Sequence, residues 1–334
     1  MHRMQISPAT TDSPNDPRLE AALTWAREHL PFNPSEVSPV SGDASFRRYF
    51  RLHGNDQSVI LMDSPPASED NARFIDIDNR LRQGGAHAPE ILASSLDQGF
   101  LLLEDLGDTM YREILHTNNA DELFPPLFGL LQTMATAVDD TGLPEYDRDR
   151  LLTELELFPR WYLERHKQIS ISCEDWDTWE DLCTRLIASA QQQPQVFVHR
   201  DFHSCNLLKL ASGEVGVIDF QDAVRGPLSY DLISLLWDRY ISWPRSRLEA
   251  WMEQFRQQVA AEIPPQEWIR YCDWMGLQRN LKIVGIFARL YYRDGKAGYL
   301  EMIPRFWSYL MDVLPRYEET LPMKNLLERL ECAP

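Results

Sequence analysis

Cysteine is scarce in this sequence, and none of it is spaced for pairing. The five cysteines, at positions 173, 183, 205, 272 and 332, form no C-x-x-C and leave an odd number, so neither a disulfide framework nor a zinc site is expected and a reducing cytoplasm fits. Long apolar runs are also missing. Nothing approaches about 18 uninterrupted apolar residues, and the opening MHRMQISPATTDSPNDP lacks the apolar core of a secretory signal, so neither a membrane span nor export by that route is expected. Positive charge is in deficit, with 33 Lys and Arg against 51 Asp and Glu, a net charge of −18 that argues against general affinity for nucleic acid or anionic membrane. H-E-x-x-H and G-x-S-x-G are absent, which removes common metalloprotease and hydrolase signatures. The rest is an ordinary globular composition, 44% apolar over 334 residues and sufficient for two lobes.

Along the chain the pattern changes once. Residues 1–16, rich in Ser, Thr, Pro and Asp, read as a leader without periodicity. Pro17 suits a helix start, and the spacing of Leu19, Leu23 and Trp25 predicts a helix to about Leu30. Short apolar runs then predict strands at Val37–Val40, Phe46–Leu52, Ser58–Met62, Ile91–Ser94 and Phe100–Leu103, with a helix capped by Ser68 over Glu69–Gln83. The sum is an antiparallel five-stranded lobe over 17–105. After Glu104-Asp105-Leu106-Gly107 come helices at about 122–139, 151–167 with a break at Pro159, 176–192, 229–240, and three or four more over 245–330. The fold class expected is therefore α+β in two lobes, the second, 106–334, mainly helical.

The densest chemistry lies in QVFVHRDFHSCNLLKLASGEVGVIDFQD, residues 195–222. An apolar strand runs into His199-Arg200-Asp201, and two further short runs, Leu207–Leu210 and Val215–Asp219, join through Ala211-Ser212-Gly213. Asp201, Asn206 and Asp219 leave this strand, loop and hairpin as polar side chains. The spacing H-R-D-x-x-x-x-N followed by Asp-Phe is the catalytic-loop pattern of protein kinases. Phosphoryl transfer needs an acceptor for the attacking hydroxyl's proton and hard oxygens for Mg2+. Asp201 suits the first task, Asn206 and Asp219 the second.

HRDFHSCNLL with IDFQDAVRGPLSYDLISLL resembles the aminoglycoside phosphotransferase and choline kinase superfamily, small-molecule kinases of protein-kinase-like fold. Gln221 follows Asp219-Phe220 where protein kinases carry Gly, and no A-P-E segment follows. SGDASFRRYFRL, VILMDSPP, FLLLEDLGD and LQRNLKIVGIFARLYYRDGK narrow the resemblance to bacterial anomeric N-acetylmuramate/N-acetylglucosamine kinases of cell-wall recycling. The resemblance implies ATP and Mg2+ as cofactors and an amino sugar as acceptor. Other acceptors remain open, an aminoglycoside or other small alcohol foremost, and so does a nucleotide-binding scaffold without turnover.

Further candidates follow from position. Ser41, Gly42, Ala44 and Ser45 lie between two strands where a phosphate-covering loop belongs. Glu104 and Leu106 sit at the hinge, where backbone groups would read adenine's edge. The place of the kinase strand lysine falls on Met62, which carries no charge, so another cation is needed; Arg48, alternating inward with Phe46, Phe50 and Leu52, is nominated first and Arg47 second. Asp231, near the start of an apolar helix, is expected to accept backbone N–H bonds and brace the catalytic loop, and His199 to pack and hydrogen-bond. Arg279, Lys282, Ile286, Arg289 and Arg293 share one helix stripe, read either as a solvated face or, through Arg279 or Arg289, as a seat for an anion such as a phosphate or a lactyl carboxylate.

Overall fold

The computed structural model describes residues 16–40 and 46–334. The leader expected over 1–16 lies outside them except for Asp16, as do Ser41, Gly42, Ala44 and Ser45. By internal contacts the chain divides into two compact units: residues up to 83 with 87–109 and 208–221, and residues 84–86 with 110–207 and 222–334.

The first unit holds α1 (Pro17–His29), β1 (Glu36–Val40), β2 (Arg48–Gly54), β3 (Gln57–Asp63), α2 (Asn71–Gln83), β4 (Ile91–Ser95) and β5 (Phe100–Glu104). The strands form one antiparallel sheet in the order β1-β2-β3-β5-β4. Alternation puts Phe50 and Leu52 on one face of β2, opposite Leu61 and Val59 of β3, and Ala22, Leu23, Trp25 and Ala26 of α1 close over them as a core. Asp16 starts α1 by accepting from the N–H groups of Arg18 and Leu19 at 3.2 and 3.0 Å, with Pro17 following at the first helical position. The second helix begins later than the sequence suggested. Asp70 rather than Ser68 caps α2, accepting from the N–H of Arg73 at 3.0 Å, while the Ser68 hydroxyl donates to the Pro65 carbonyl.

One buried acid in α2 carries a pH signature. Asp78 is 1% exposed, and its Oδ1 has no hydrogen-bond partner among the described residues. Burial pushes its carboxyl up to about 7, opposed by Arg82 and reinforced by Glu104 and Glu90. An acid raised in the folded state from 3.8 loses its contribution to stability as pH climbs from there to about 7. Asp78→Asn is therefore expected to raise Tm by a few degrees near pH 8 and to leave it unchanged near pH 4. Equal Tm values at both pH values would show that the acid is solvated.

The second unit carries α3 (Tyr111–Ile114), α4 (Ala120–Ala137), α5 (Arg148–Leu155), a π-helical turn at Phe158–His166 and α6 (Cys173–Gln192). The break expected at Pro159 is not there: the π-helical segment runs through Pro159, which falls in its first turn, and the one-residue interruption of the helical stretch lies at Glu156. Next come β6 (Gln195–Val198), the hairpin β7 (Leu207–Lys209) and β8 (Val215–Val217), and β9 (Val224–Pro227), antiparallel to β6. Apart from Leu207 the hairpin groups with the first unit: Lys209 N–H donates to the Thr109 carbonyl at 2.8 Å and Val217 N–H to that of His87 at 3.0 Å. Helices α7 (Ser229–Leu236), α8 (Arg245–Val259), α9 (Pro265–Asp294), α10 (Ile303–Val313) and α11 (Leu321–Arg329) complete the second unit. Residues 271–281 of α9 are buried without interruption, so this helix is a central post with neighbours on every side.

Candidate active site

The catalytic loop leaves β6 through a strained turn. His199 is fully buried and accepts the Asp201 N–H on Nδ1 at 3.2 Å, as expected of a packing and hydrogen-bonding residue. Arg200 has φ 76°, a left-handed conformation that costs about 1 to 2 kcal/mol for a residue with a Cβ. Asp231, in the first turn of α7, offsets that cost by accepting from the N–H groups of His199 and Arg200 at 2.6 and 3.0 Å, bonds to a carboxylate being worth about 1.5 to 3 kcal/mol each. Burial pushes the Asp231 carboxyl up to about 6 against His199 and these two donors, so it is anionic at neutral pH. The expected brace is present. Within the loop, the Asn206 amide donates through Nδ2 to the Asp201 carbonyl at 2.9 Å, which turns its oxygen the other way.

Asp201 sits beside a charge network that the sequence did not reveal. Glu154 of α5 accepts from Arg200, from the Tyr146 hydroxyl, from Lys282 Nζ at 2.9 Å and from Gln278 Nε2 at 3.2 Å. The Tyr230 hydroxyl takes a second bond from Lys282 at 3.1 Å. Burial alone would raise the Asp201 carboxyl, but His203, Lys282, His199 and Arg200 outweigh it and hold it below the usual carboxylate range. Asp201 is thereby an anion at neutral pH. Of the two readings open for the α9 stripe, the solvated face does not hold at Arg279 and Lys282: residues 271–281 are buried without interruption, Arg279 is 5% exposed and Lys282 is paired. Arg293 is exposed and pairs with Asp294, while Arg289 is half-buried with no acceptor for its Nε among the described residues.

In the first unit Asp219 also has a left-handed backbone, φ 65°, and receives the Gln221 side-chain amide at 2.8 Å. Phe220 packs on Phe74 of α2 with centroids 4.9 Å apart, and Arg73 Nε donates to the Gln221 carbonyl at 2.7 Å, so α2 anchors the segment that aims Asp219. Met62 is fully buried in β3. Arg48 does not reach for an anionic ligand: it faces Asp63 across the β2–β3 register, bonds it at 2.9 and 2.5 Å, and pairs with Asp16. The reason is that α1 covers the Phe50 face, to which alternation assigned Arg48. Phe46, expected inward with it, is 72% exposed. Arg47, the second nominee, is buried and pairs with Glu69 at 2.8 Å. Glu104 is likewise occupied, its N–H by the Glu90 carbonyl at 2.8 Å and its carboxylate by His87 at 3.1 Å; Leu106 rests on Gly216, where an added Cβ would come 2.9 Å from Cδ1.

An antiparallel five-stranded sheet with its helix, and a helical unit whose loop carries Asp201 and Asn206 ahead of an Asp219-Phe220 hairpin, define a kinase-like small-molecule phosphotransferase. The chain belongs to the phosphotransferase enzyme family, whose model matches residues 36–268, and ATP is the phosphoryl donor that membership implies. It is 44% identical over 320 residues to the N-acetylmuramate/N-acetylglucosamine kinase of Pseudomonas aeruginosa, covering 94% of this chain and 93% of that one. The protein of the same name from Pseudomonas putida is 40% identical over 333 residues, 95% and 98% of the two chains. An ethanolamine kinase from Plasmodium vivax superposes with a TM-score of 0.65 at 12% identity over 93% of each chain, and an ADP-bound aminoglycoside phosphotransferase with 0.59 at 14% over 88% and 98%. At those identities the likeness is one of fold.

Proposed function

We propose that this chain transfers the γ-phosphoryl group of ATP to the anomeric hydroxyl of N-acetylmuramate and N-acetylglucosamine, returning amino sugars of peptidoglycan turnover to use in the cytoplasm. The observation that carries the reading is the likeness, over nine-tenths of the chain, to relatives named for those two sugars. Asp201 orients the attacking hydroxyl and takes its proton. The lobe over 17–105 takes the nucleotide, with Leu106 at its adenine edge, Ser41, Gly42, Ala44 and Ser45 over its phosphates, and Arg47, steadied by Glu69, in the part of the missing strand lysine. The lobe over 106–334 takes the sugar.

Asn206 and Asp219 supply the hard oxygens that Mg2+ prefers, and Mg2+ would neutralise charge on the transferring phosphoryl group. Their chemistry fits that ion, one amide and one carboxylate oxygen, since Mg2+ usually takes one or two protein oxygens with phosphates and water. An aminoglycoside, a polycation, suits the acceptor site poorly beside Lys282, Arg200 and the buried Arg279.

The position of transfer is tested with a blocked substrate. The methyl glycoside of N-acetylglucosamine keeps its C6 hydroxyl but has no free anomeric one, and no ATP-dependent phosphorylation of it is expected. The product from the free sugar should be acid-labile. Robust phosphorylation of the glycoside, or an acid-stable product, would refute anomeric transfer while leaving the kinase chemistry in place.

A further inference from the structure

A guanidinium removed from water normally takes a carboxylate partner, because its lost hydration is otherwise uncompensated. Arginines of the second unit mostly follow that rule: Arg200 pairs with Glu154, Arg245 with Asp273 at 2.5 Å, and Arg256 with Glu253 at 2.7 Å. Three do not. Arg279 has no ion-pair partner among the described residues, and its Nη1 is buried without an acceptor. The Nη1 of Arg305 is also buried without one. Arg239 donates through Nη2 to an imidazole, His203 Nε2 at 3.0 Å, and otherwise lies over the Tyr240 ring.

The fold gathers these three. Trp237, just past α7, lies so close on α9 that a Cβ added at Gly276 would run into its ring, and Arg279 follows Gly276 by about one helical turn. Trp237 stacks on Tyr309 of α10, centroids 5.7 Å apart, and Arg305 precedes Tyr309 by one turn. The Tyr309 hydroxyl lies 3.4 and 3.3 Å from the Asp238 and Ile241 carbonyls, closing the segment that bears Arg239. All three arginines thus stand within about a turn of one Trp–Tyr stack. His203, which Arg239 reaches, is in the catalytic loop two residues beyond Asp201. Asp238, the acid nearest in sequence to Arg239, makes no ion pair with any of the three among the described residues; its two oxygens accept the N–H groups of Ser204 at 2.9 Å and Tyr240 at 2.8 Å, and its single charge would still leave the group net positive.

In a chain with 51 acidic residues against 33 basic ones, three neighbouring guanidiniums lacking carboxylates beside a catalytic loop imply an anion that arrives with a ligand. We infer that Arg239, Arg279 and Arg305 form a carboxylate subsite for the acceptor sugar, which seats the lactyl group of N-acetylmuramate and stays empty of anion when N-acetylglucosamine is bound. The planar fork of arginine matches a carboxylate through paired N–H bonds, and the mutual repulsion of the three cations is relieved only by the charged sugar. The inference rests on the sugar-kinase reading above and adds residues that set preference between its two acceptors.

The test uses the full chain, both sugars, and N-acetylmuramate methyl-esterified at its lactyl carboxyl. Loss of a charge-assisted contact corresponds to roughly 10- to 150-fold. Arg279→Gln and Arg305→Gln should each lower kcat/KM for N-acetylmuramate by a factor in that range while changing that for N-acetylglucosamine by less than about threefold. The unmodified enzyme should lose a comparable factor on going from the acid to its ester, and Arg279→Gln should treat acid and ester alike. Should a variant fail to fold, the acid-to-ester comparison on the unmodified enzyme decides alone. Equal losses for both sugars, an ester as good as the acid, or a raised KM for ATP with either sugar would overturn the subsite, the last by assigning the arginines to nucleotide phosphate. Failure of the unmodified enzyme to phosphorylate either sugar would instead strike the function proposed above, and the subsite with it.

Discussion

Asp201→Asn is expected to lower kcat by about 10^2 to 10^4 with little change in KM for ATP, because it removes the proton acceptor proposed above and leaves Asn206 and Asp219, the proposed metal ligands, unaltered. The surroundings of Asp201 sharpen the expectation. Although burial pushes its carboxyl up, His203, Lys282, His199 and Arg200 leave it below the ordinary carboxylate range. A base weakened in this way suits a hydroxyl that is already acidic, as the anomeric hydroxyl of a sugar is, since the proton need move only late, as the new P–O bond forms. The sign of the pH dependence follows. A base whose pKa is depressed stays ionised as pH falls, so the acid limb of kcat should lie below the usual carboxylate range in the unmodified enzyme, and Lys282→Met should move it upward. Near-normal turnover by Asp201→Asn would end the assignment. An acid limb that Lys282→Met leaves where it was would show that Lys282 serves only the fold.

The five strands were legible because they are local: alternation and apolar runs act over a few residues, whereas the break expected at Pro159 is a change of helix type that begins just before it. Asp231 was legible for a related reason, since a carboxylate in the first turn of an apolar helix has few partners besides backbone N–H groups. Arg48 was misread because alternation assigns side chains to faces without saying which face another element will cover, and α1 covers the one bearing Phe50. At Glu104 the N–H is taken by the pairing around β4 and β5, whose bulge near Ile91 the sequence does not announce. The stripe on α9 misled in another way. Four cations at helix spacing look solvated on any helix treated alone, and only the uninterrupted burial of 271–281 turns Arg279 and Lys282 inward. Glu154 gave no signal at all, because its meaning lies in Arg200 and Lys282, which tertiary packing alone brings to it.

Glu154→Ala is expected to destabilise the protein by about 3 to 5 kcal/mol, the largest stability effect foreseen here. Its carboxylate lies among Arg200, Lys282, Tyr146 and Gln278 with its side chain 13% exposed, and burial, which would raise its pKa, is outweighed by the two cations. Removing it leaves Arg200 and Lys282 with no other ion-pair partner among the described residues. The pair repels, the ring of partners loses its common acceptor, and the loop that Arg200 enters in a left-handed conformation loses part of what holds it. A double-mutant cycle separates these contributions. Lys282→Met removes one of the stranded cations, so the double variant should be less destabilised than the sum of the singles, with a coupling of about 1 to 3 kcal/mol by urea unfolding. Additive losses would mean that Glu154 and Lys282 do not sense each other in solution. A loss below about 1 kcal/mol for Glu154→Ala alone would place the group among solvated ion pairs and remove it as the counter-charge that keeps Lys282 and Arg200 beside Asp201.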